Sequence, residues 1–216
     1  MFEVHPPHSP IHGWRDFFIQ LVTITVGLLI ALALEGLVEW LSHRHTMHQA
    51  QASLYVEIKA NAGKLPSVLD SLHAQQKALQ RDVSFLKSVI AHPDVPTHES
   101  IDVGFSMQTF QNVSWNTAQA TGALAFMPYN VAQEYSDIYT EQRDLEAAEL
   151  QAVRDTTMSL GPFLNVAEGD PNPTREEATL MKRQIEILQG QLLLVDSYLK
   201  DMDRLYKKFL AEQVAK

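Results

Sequence analysis

Residues 17–34 read FFIQLVTITVGLLIALAL, 18 residues without a charge between Asp16 and Glu35. A membrane-spanning helix needs about 20 apolar residues at about 1.5 Å each. Gly36, Leu37, Val38, Trp40 and Leu41 carry the apolar run past Glu35. Trp14 and Trp40 stand at its two ends, about 39 Å apart along a helix, which matches the roughly 40 Å between two aromatic belts. Residues 13–41 are therefore expected to cross a lipid bilayer once. A cleaved signal peptide is the competing reading, because Ala31-Leu32-Ala33 resembles a cleavage site. The run exceeds the roughly 7–15 apolar residues of a signal peptide, and Arg15 is the single basic residue before it, so a retained anchor is expected.

Inside the span, Gly27 and Ala31 are four apart and leave a small face where another transmembrane helix can approach closely. That helix would belong to a larger assembly or to a second copy. Glu35 sits near the interface, where its carboxylate can snorkel to water. No histidine lies between Trp14 and Trp40, so the span has no imidazole for a haem or chlorophyll, and no cofactor is expected.

On the amino-terminal side, residues 1–12 (MFEVHPPHSPIH) hold three prolines and three histidines, and this tail cannot be helical throughout. On the other side, His43, His45 and His48 are weak candidates for a metal site. Only His45 and His48 share a helical face, and a polar collar explains the cluster more simply. The two histidine groups flank the span, so they cannot form one site.

The remaining residues, 42–216, are enough for one domain with a core. The net charge of the chain is −9, from 17 basic and 26 acidic residues. No basic stripe is present, so nucleic acid is an unexpected partner. The lack of cysteine excludes disulfides and thiolate chemistry.

From Gln49 to Ala91 the apolar residues follow a 4,3 rhythm: Leu54, Ile58, Asn61, Leu65, Val68, Leu72, Gln75, Leu79, Asp82/Val83, Leu86, Ile90. This is the seam of a coiled coil, with Asn61 and Gln75 as polar register residues. Pro66 is expected to kink or break it. An insert at about 100–128 follows. Phe105, Phe110, Trp115, Asn116 and Phe126 make it the one segment that composes like a pocket wall. A plug packed on the bundle is the simpler reading. Ser114 is expected to cap a short helix that Gly122 stops.

Tyr129 to about Leu160 reads as a helix with two stripes. One carries Val131, Tyr135, Ile138, Gln142 and Leu145. The other, offset by a stutter, carries Leu150, Val153, Thr157, Leu160 and Leu164. Thr174 and Glu177 form a capping box that opens the last helix. Its period is the cleanest: Met181, Ile185, Leu188, Leu192, Val195, Leu199, Met202, Tyr206, Phe209, widened by Ile187, Leu193, Leu194 and Leu205. No phosphate loop, nucleophile elbow, zinc-protease or dinucleotide motif occurs. The carboxylates spread over helix faces, and runs such as Glu146/Glu149 and Glu176/Glu177 are expected to be solvated.

The stretch WRDFFIQLVTITVGLLIALALEGLVEWLSHRH (14–45) resembles the anchor of a group of uncharacterised bacterial single-pass membrane proteins, with GLLIALALE at its centre. WNTAQATGAL (115–124) is similar to that group's central segment. The resemblance implies a single span and a helical extramembrane domain, and no activity.

The expected fold is all-α: a tail (1–12), a transmembrane helix (13–41), then an antiparallel bundle of three long helices (42–216) with a short helical insert. The expected function is that of a non-enzymatic accessory or scaffolding subunit of a larger membrane assembly, or of a homo-oligomer. The alternatives are a ligand-sensing domain using the insert and a metal-binding protein using the juxtamembrane histidines. The expected location is the bacterial inner membrane, tail inside and bundle in the periplasm.

Overall fold

The computed structural model describes residues 13–93, 101, 107–160 and 173–214. Four α-helices account for most of them: α1 (Trp14–Ala91), α2 (Val113–Ala120), α3 (Tyr129–Leu160) and α4 (Arg175–Val214). A 3-10 turn, Ala123–Phe126, lies between α2 and α3. No strand occurs among the described residues. The chain divides into two units, one ending at Gln49 and the other beginning at Ala50.

In the first unit, Gly13 adopts φ +139°, a backbone conformation that side-chain-bearing residues rarely take. Its carbonyl accepts from the N–H of Asp16 and of Phe17, at 3.1 and 3.4 Å, and so starts α1. Apolar side chains from Phe17 to Leu41 are exposed. This is the one helix among the described residues long and apolar enough to cross a membrane. The two threonine hydroxyls of the apolar run are closed on the helix's own backbone, as lipid favours. The Thr23 hydroxyl donates to the Ile19 carbonyl and the Thr25 hydroxyl to that of Leu21, each at 2.8 Å. Trp14 stacks on Phe17 and meets Phe18 edge-on. At the other end, the Arg44 guanidinium lies 5.3 Å over the Trp40 ring.

In the second unit, the α1 seam is buried at Leu54, Ile58, Asn61, Leu65, Val68, Leu72, Leu79, Asp82, Val83 and Leu86. Gln75 and Ile90 are half-buried, and Val89 takes the inward place near the end of α1. Pro66 does not break α1, contrary to expectation. It sits on the exposed side, so the Ala62 carbonyl that loses its donor is on the outer face. Leu65 and Val68 are packed on either side of it. All nine seam residues of α4 are at most 1 % exposed. Of the four residues expected to widen that face, Leu205 is half-buried, whereas Ile187, Leu193 and Leu194 are exposed. Thr174 and Glu177 form the capping box. The Thr174 N–H and hydroxyl both donate to the Glu177 carboxylate at 2.8 Å, and the Glu177 N–H donates back to the hydroxyl at 3.3 Å.

The stutter expected in α3 is absent. After Tyr135, Ile138, Gln142 and Leu145, the buried positions are Ala148, Glu149, Ala152 and Thr156. The 4,3 rhythm continues unbroken through Glu149. Leu150 is exposed, Thr157 is exposed and Val153 is half-buried. The Leu160 side chain and Leu164 lie outside the described residues.

Helix directions follow from the side-chain pairs. Along α1 and α4, Tyr55 meets Phe209, Gln76 reaches the Leu192 carbonyl and Arg175 reaches the Ile90 carbonyl. Along α3 and α4, Tyr135 meets Phe209 and Gln142 meets Tyr206. Thus α4 is antiparallel to both. Along α1 and α3, Tyr139 meets Glu57 and Gln142 meets Asn61, so those two run parallel. The expected all-antiparallel order therefore holds only for α4. Between α1 and α3 the chain must return. Of that return, the described residues 107–112, which are not helical, and α2 lie against both helices: Gln108 by Glu149, Gln111 by Asn61 and Gln142, Ser114 by Glu57.

Candidate functional site

The return segment is held by two polar side chains buried in α1. Asn61, fully buried, grips the backbone of Gln111 at both ends. Its Oδ1 accepts from the Gln111 N–H at 2.9 Å, and its Nδ2 donates to the Gln111 carbonyl at 2.8 Å. The Gln142 amide donates to the same carbonyl at 3.1 Å, and the Tyr206 hydroxyl donates to Gln142 Oε1 at 3.4 Å. Asn61 thus spends its polarity on a non-helical backbone, which supplies the reason for a polar residue at a seam position.

Glu57, 5 % exposed, does the same one turn earlier. Its Oε2 accepts from the Ser114 N–H at 2.8 Å and its Oε1 from the Tyr139 hydroxyl at 2.6 Å. A carboxylate at the start of a helix satisfies an orphan N–H and favours the dipole. So α2 is not capped by Ser114: Asn112 is the residue at the cap position, it makes no side-chain capping bond, and the anion comes from α1. Gly122 does end α2, in the left-handed conformation at φ +68°. Burial and the Glu57 bond push the Tyr139 phenol far above its usual range. Burial raises Tyr206 as well, and pushes Tyr135 up to about 12.

Next to this clamp, the segment 107–112 and α3 enclose a cavity of about 280 Å³. Met107, Phe110 and Leu145 give it apolar wall. Gln108, Thr109, Asn112 and Gln142 give it amide and hydroxyl groups, and Glu146 and Glu149 give it two carboxylates. Glu146 is exposed, whereas Glu149 is 2 % exposed. Gln108 and Glu149 also line a crevice of about 10 Å³ against Val68, Ser71, Leu72 and Gln75 of α1 and Val195 and Leu199 of α4. The Glu149 Oε1 accepts one hydrogen bond, from the Gln108 N–H at 3.5 Å, the outer limit of such a bond. Burial pushes the Glu149 carboxyl up to about 7; the Gln108 N–H pulls it back and the Glu146 charge adds to the rise.

The candidate residues from the sequence fall in three places. Phe110 lines the cavity and is 8 % exposed. Trp115 does not: its ring stacks on Tyr139, centroids 4.9 Å apart and planes within 10°. Asn116 is one residue further round α2, exposed, with its amide on Asn112 Oδ1 at 3.2 Å. Trp115 and Asn116 therefore do not line this cavity: one ring is taken up by the stack on Tyr139 and the other side chain by Asn112. Phe126 is 38 % exposed on the 3-10 turn. Phe105 lies outside the described residues, as do His5, His8 and His12.

Of the juxtamembrane histidines, His43 is 3.8 Å from Glu39, and His48 accepts from the Arg44 guanidinium at 3.5 Å. No group of three metal-ligating side chains occurs among the described residues. At Gly27 the space beside the backbone is open. Glu57 was not singled out in the sequence, and Glu149, expected with Glu146 on a solvated face, is buried while Glu146 is exposed. Glu57 adjoins seam residue Ile58, and Glu149 is where the 4,3 count from Leu145 lands. Comparison with protein-family models, curated proteins and solved structures finds no match for the chain.

Proposed function

We propose that this is a membrane-anchored, non-enzymatic interaction protein: an accessory or scaffolding subunit of a larger assembly in the bacterial inner membrane, or a homo-oligomer. One observation carries the reading. The apolar surface from Phe17 to Leu41 is exposed throughout, and its two threonine hydroxyls are closed on the backbone, which suits lipid and neighbouring helices. Gly27 and Ala31 are the face on which a helix would dock. The bundle would stand in the periplasm, with the tail on the cytoplasmic side, in line with the resemblance of residues 14–45 to bacterial single-pass anchors. Affinity capture of the full chain from a mild non-ionic detergent tests this. Recovery with defined partners or as an oligomer is expected, with loss on Gly27→Leu. Recovery as a lone monomer refutes it.

A second reading is favoured by the cavity at Glu149: the extramembrane unit senses a small molecule through the segment 107–112. A pocket of about this size, apolar with a few polar groups, is how small-ligand sites are commonly built. The two readings are compatible, since a sensor must pass its state to a partner.

A further inference from the structure

We propose that the cavity between residues 107–112 and α3 binds a small organic cation, a primary ammonium joined to an apolar body about the size of one ring. This rests on the ligand-sensing reading and names its ligand class.

The charge balance carries the argument. Among the described residues, the cavity wall contains two carboxylates and no lysine, arginine or histidine. Glu149 is 2 % exposed, and its single hydrogen bond among the described residues is the 3.5 Å contact from Gln108. A buried carboxylate is costly unless it is paired. In the adjoining crevice, the residues of α1 and α4 that meet Glu149 are all uncharged. The compensating charge must therefore be a proton or come from outside the wall. An ammonium at Glu149 supplies it. Glu146, three residues earlier on the same helix face, adds a second negative charge at the exposed edge and draws cations in.

The remaining wall sets the rest of the ligand. Phe110 and Leu145 are buried and Met107 is half-buried beside them, so an apolar body lies against them. Asn112 Oδ1, which accepts one hydrogen bond from Asn116, has a second lone pair for an N–H that Glu149 does not take. A volume of about 280 Å³ lies at the small end of ligand sites and suits a one-ring amine. A bare divalent ion is disfavoured, because it takes three or more protein ligands or a cage of oxygens, and two carboxylates at one wall do not make one. An anion is repelled. A neutral ligand binds only beside a Glu149 that keeps its proton, so it loses affinity above about pH 7.

The test uses the full chain in non-ionic detergent, titrated calorimetrically with 2-phenylethylammonium and with neutral 2-phenylethanol. Saturable binding of the ammonium at pH 8 is expected, with the alcohol at least about tenfold weaker. Glu149→Gln should weaken the ammonium by about tenfold or more while leaving the circular dichroism spectrum unchanged. Glu146→Gln should weaken it by about twofold to threefold, as an exposed charge does. Lowering the pH from 8 to 6 should weaken it about tenfold, since protons then occupy the Glu149 carboxylate. Equal affinity in wild type and Glu149→Gln overturns the proposal. If the alcohol binds as tightly as the ammonium, the cation assignment falls and the ligand-sensing reading stands. If neither binds up to about 10 mM, both fall.

Discussion

Glu149→Gln should make the protein more stable, and by an amount that depends on pH. The Glu149 carboxyl is held at about 7 in the fold against an ordinary 4.5 in the unfolded chain. Between those two values the folded state keeps a proton that the unfolded state has lost, so stability falls as pH rises. Below about 4.5 the contribution is fully present; above about 7 it is gone. The gap, at about 1.36 kcal/mol per pH unit, comes to about 3 kcal/mol. Glutamine keeps the shape and never ionises, so the variant escapes this loss. Integrated from pH 5 to pH 8, the advantage of glutamine over glutamate grows by about 2.5 kcal/mol. For a unit of this size that is about 5–10 °C in Tm. The assay is thermal unfolding of the full chain in detergent, followed by circular dichroism at both pH values. Burial also raises Glu141, which tilts the same way in both proteins and cancels in the comparison. Stability curves for the two proteins that run parallel from pH 5 to pH 8 would show that Glu149 is not buried in the environment described.

Three other outcomes are expected. Asn61→Ala removes two of the three hydrogen bonds on the Gln111 backbone, leaving that from Gln142, and should cost about 1–3 kcal/mol, with faster amide hydrogen exchange at Gln111; unchanged exchange there would contradict the clamp. Thr174→Ala removes the cap of α4 and should cost about 1 kcal/mol in denaturant unfolding, with protection lost first around Ala178. Gly190→Ala, at an exposed α4 position with open space beside it, should gain about 0.5–1 kcal/mol, read as a rise in Tm without a change in spectrum.

Much of the architecture could be read from residue spacing. Met181 to Phe209 keep a 4,3 period of large apolar residues, and such a face has one way to be buried. The Thr174–Glu177 box and the stop at Gly122 are local chemistry, so they too are legible. What could not be read depends on distant partners. Glu149 occupies a core position that burial penalises, so an apolar count slides to Leu150 and invents a stutter. The N–H of Ser114 is satisfied by Glu57, 57 residues away in sequence, which no local pattern announces. The parallel pairing of α1 and α3 depends on residues 92–128 making the return journey. Their mixed composition shows no helical period from which that could be inferred. Pro66 was misjudged because its effect depends on which face it occupies, and that is known only once the seam is packed.

The return segment also sets an order of events during synthesis. Tyr55 packs beside Phe209, roughly 150 residues later, and at about 5–20 residues per second that partner emerges about 8–30 s after it. The carbonyl and N–H that Asn61 grips are only 50 residues downstream. Glu57 and Asn61 can therefore fasten residues 111 and 114 while α3 and α4 are still unmade. Residues 111 and 114 are thus partners that this part of α1 can meet before either long helix exists. Glu57 and Asn61 act as a clasp that can close early, giving α3 a prepared surface to meet when it arrives.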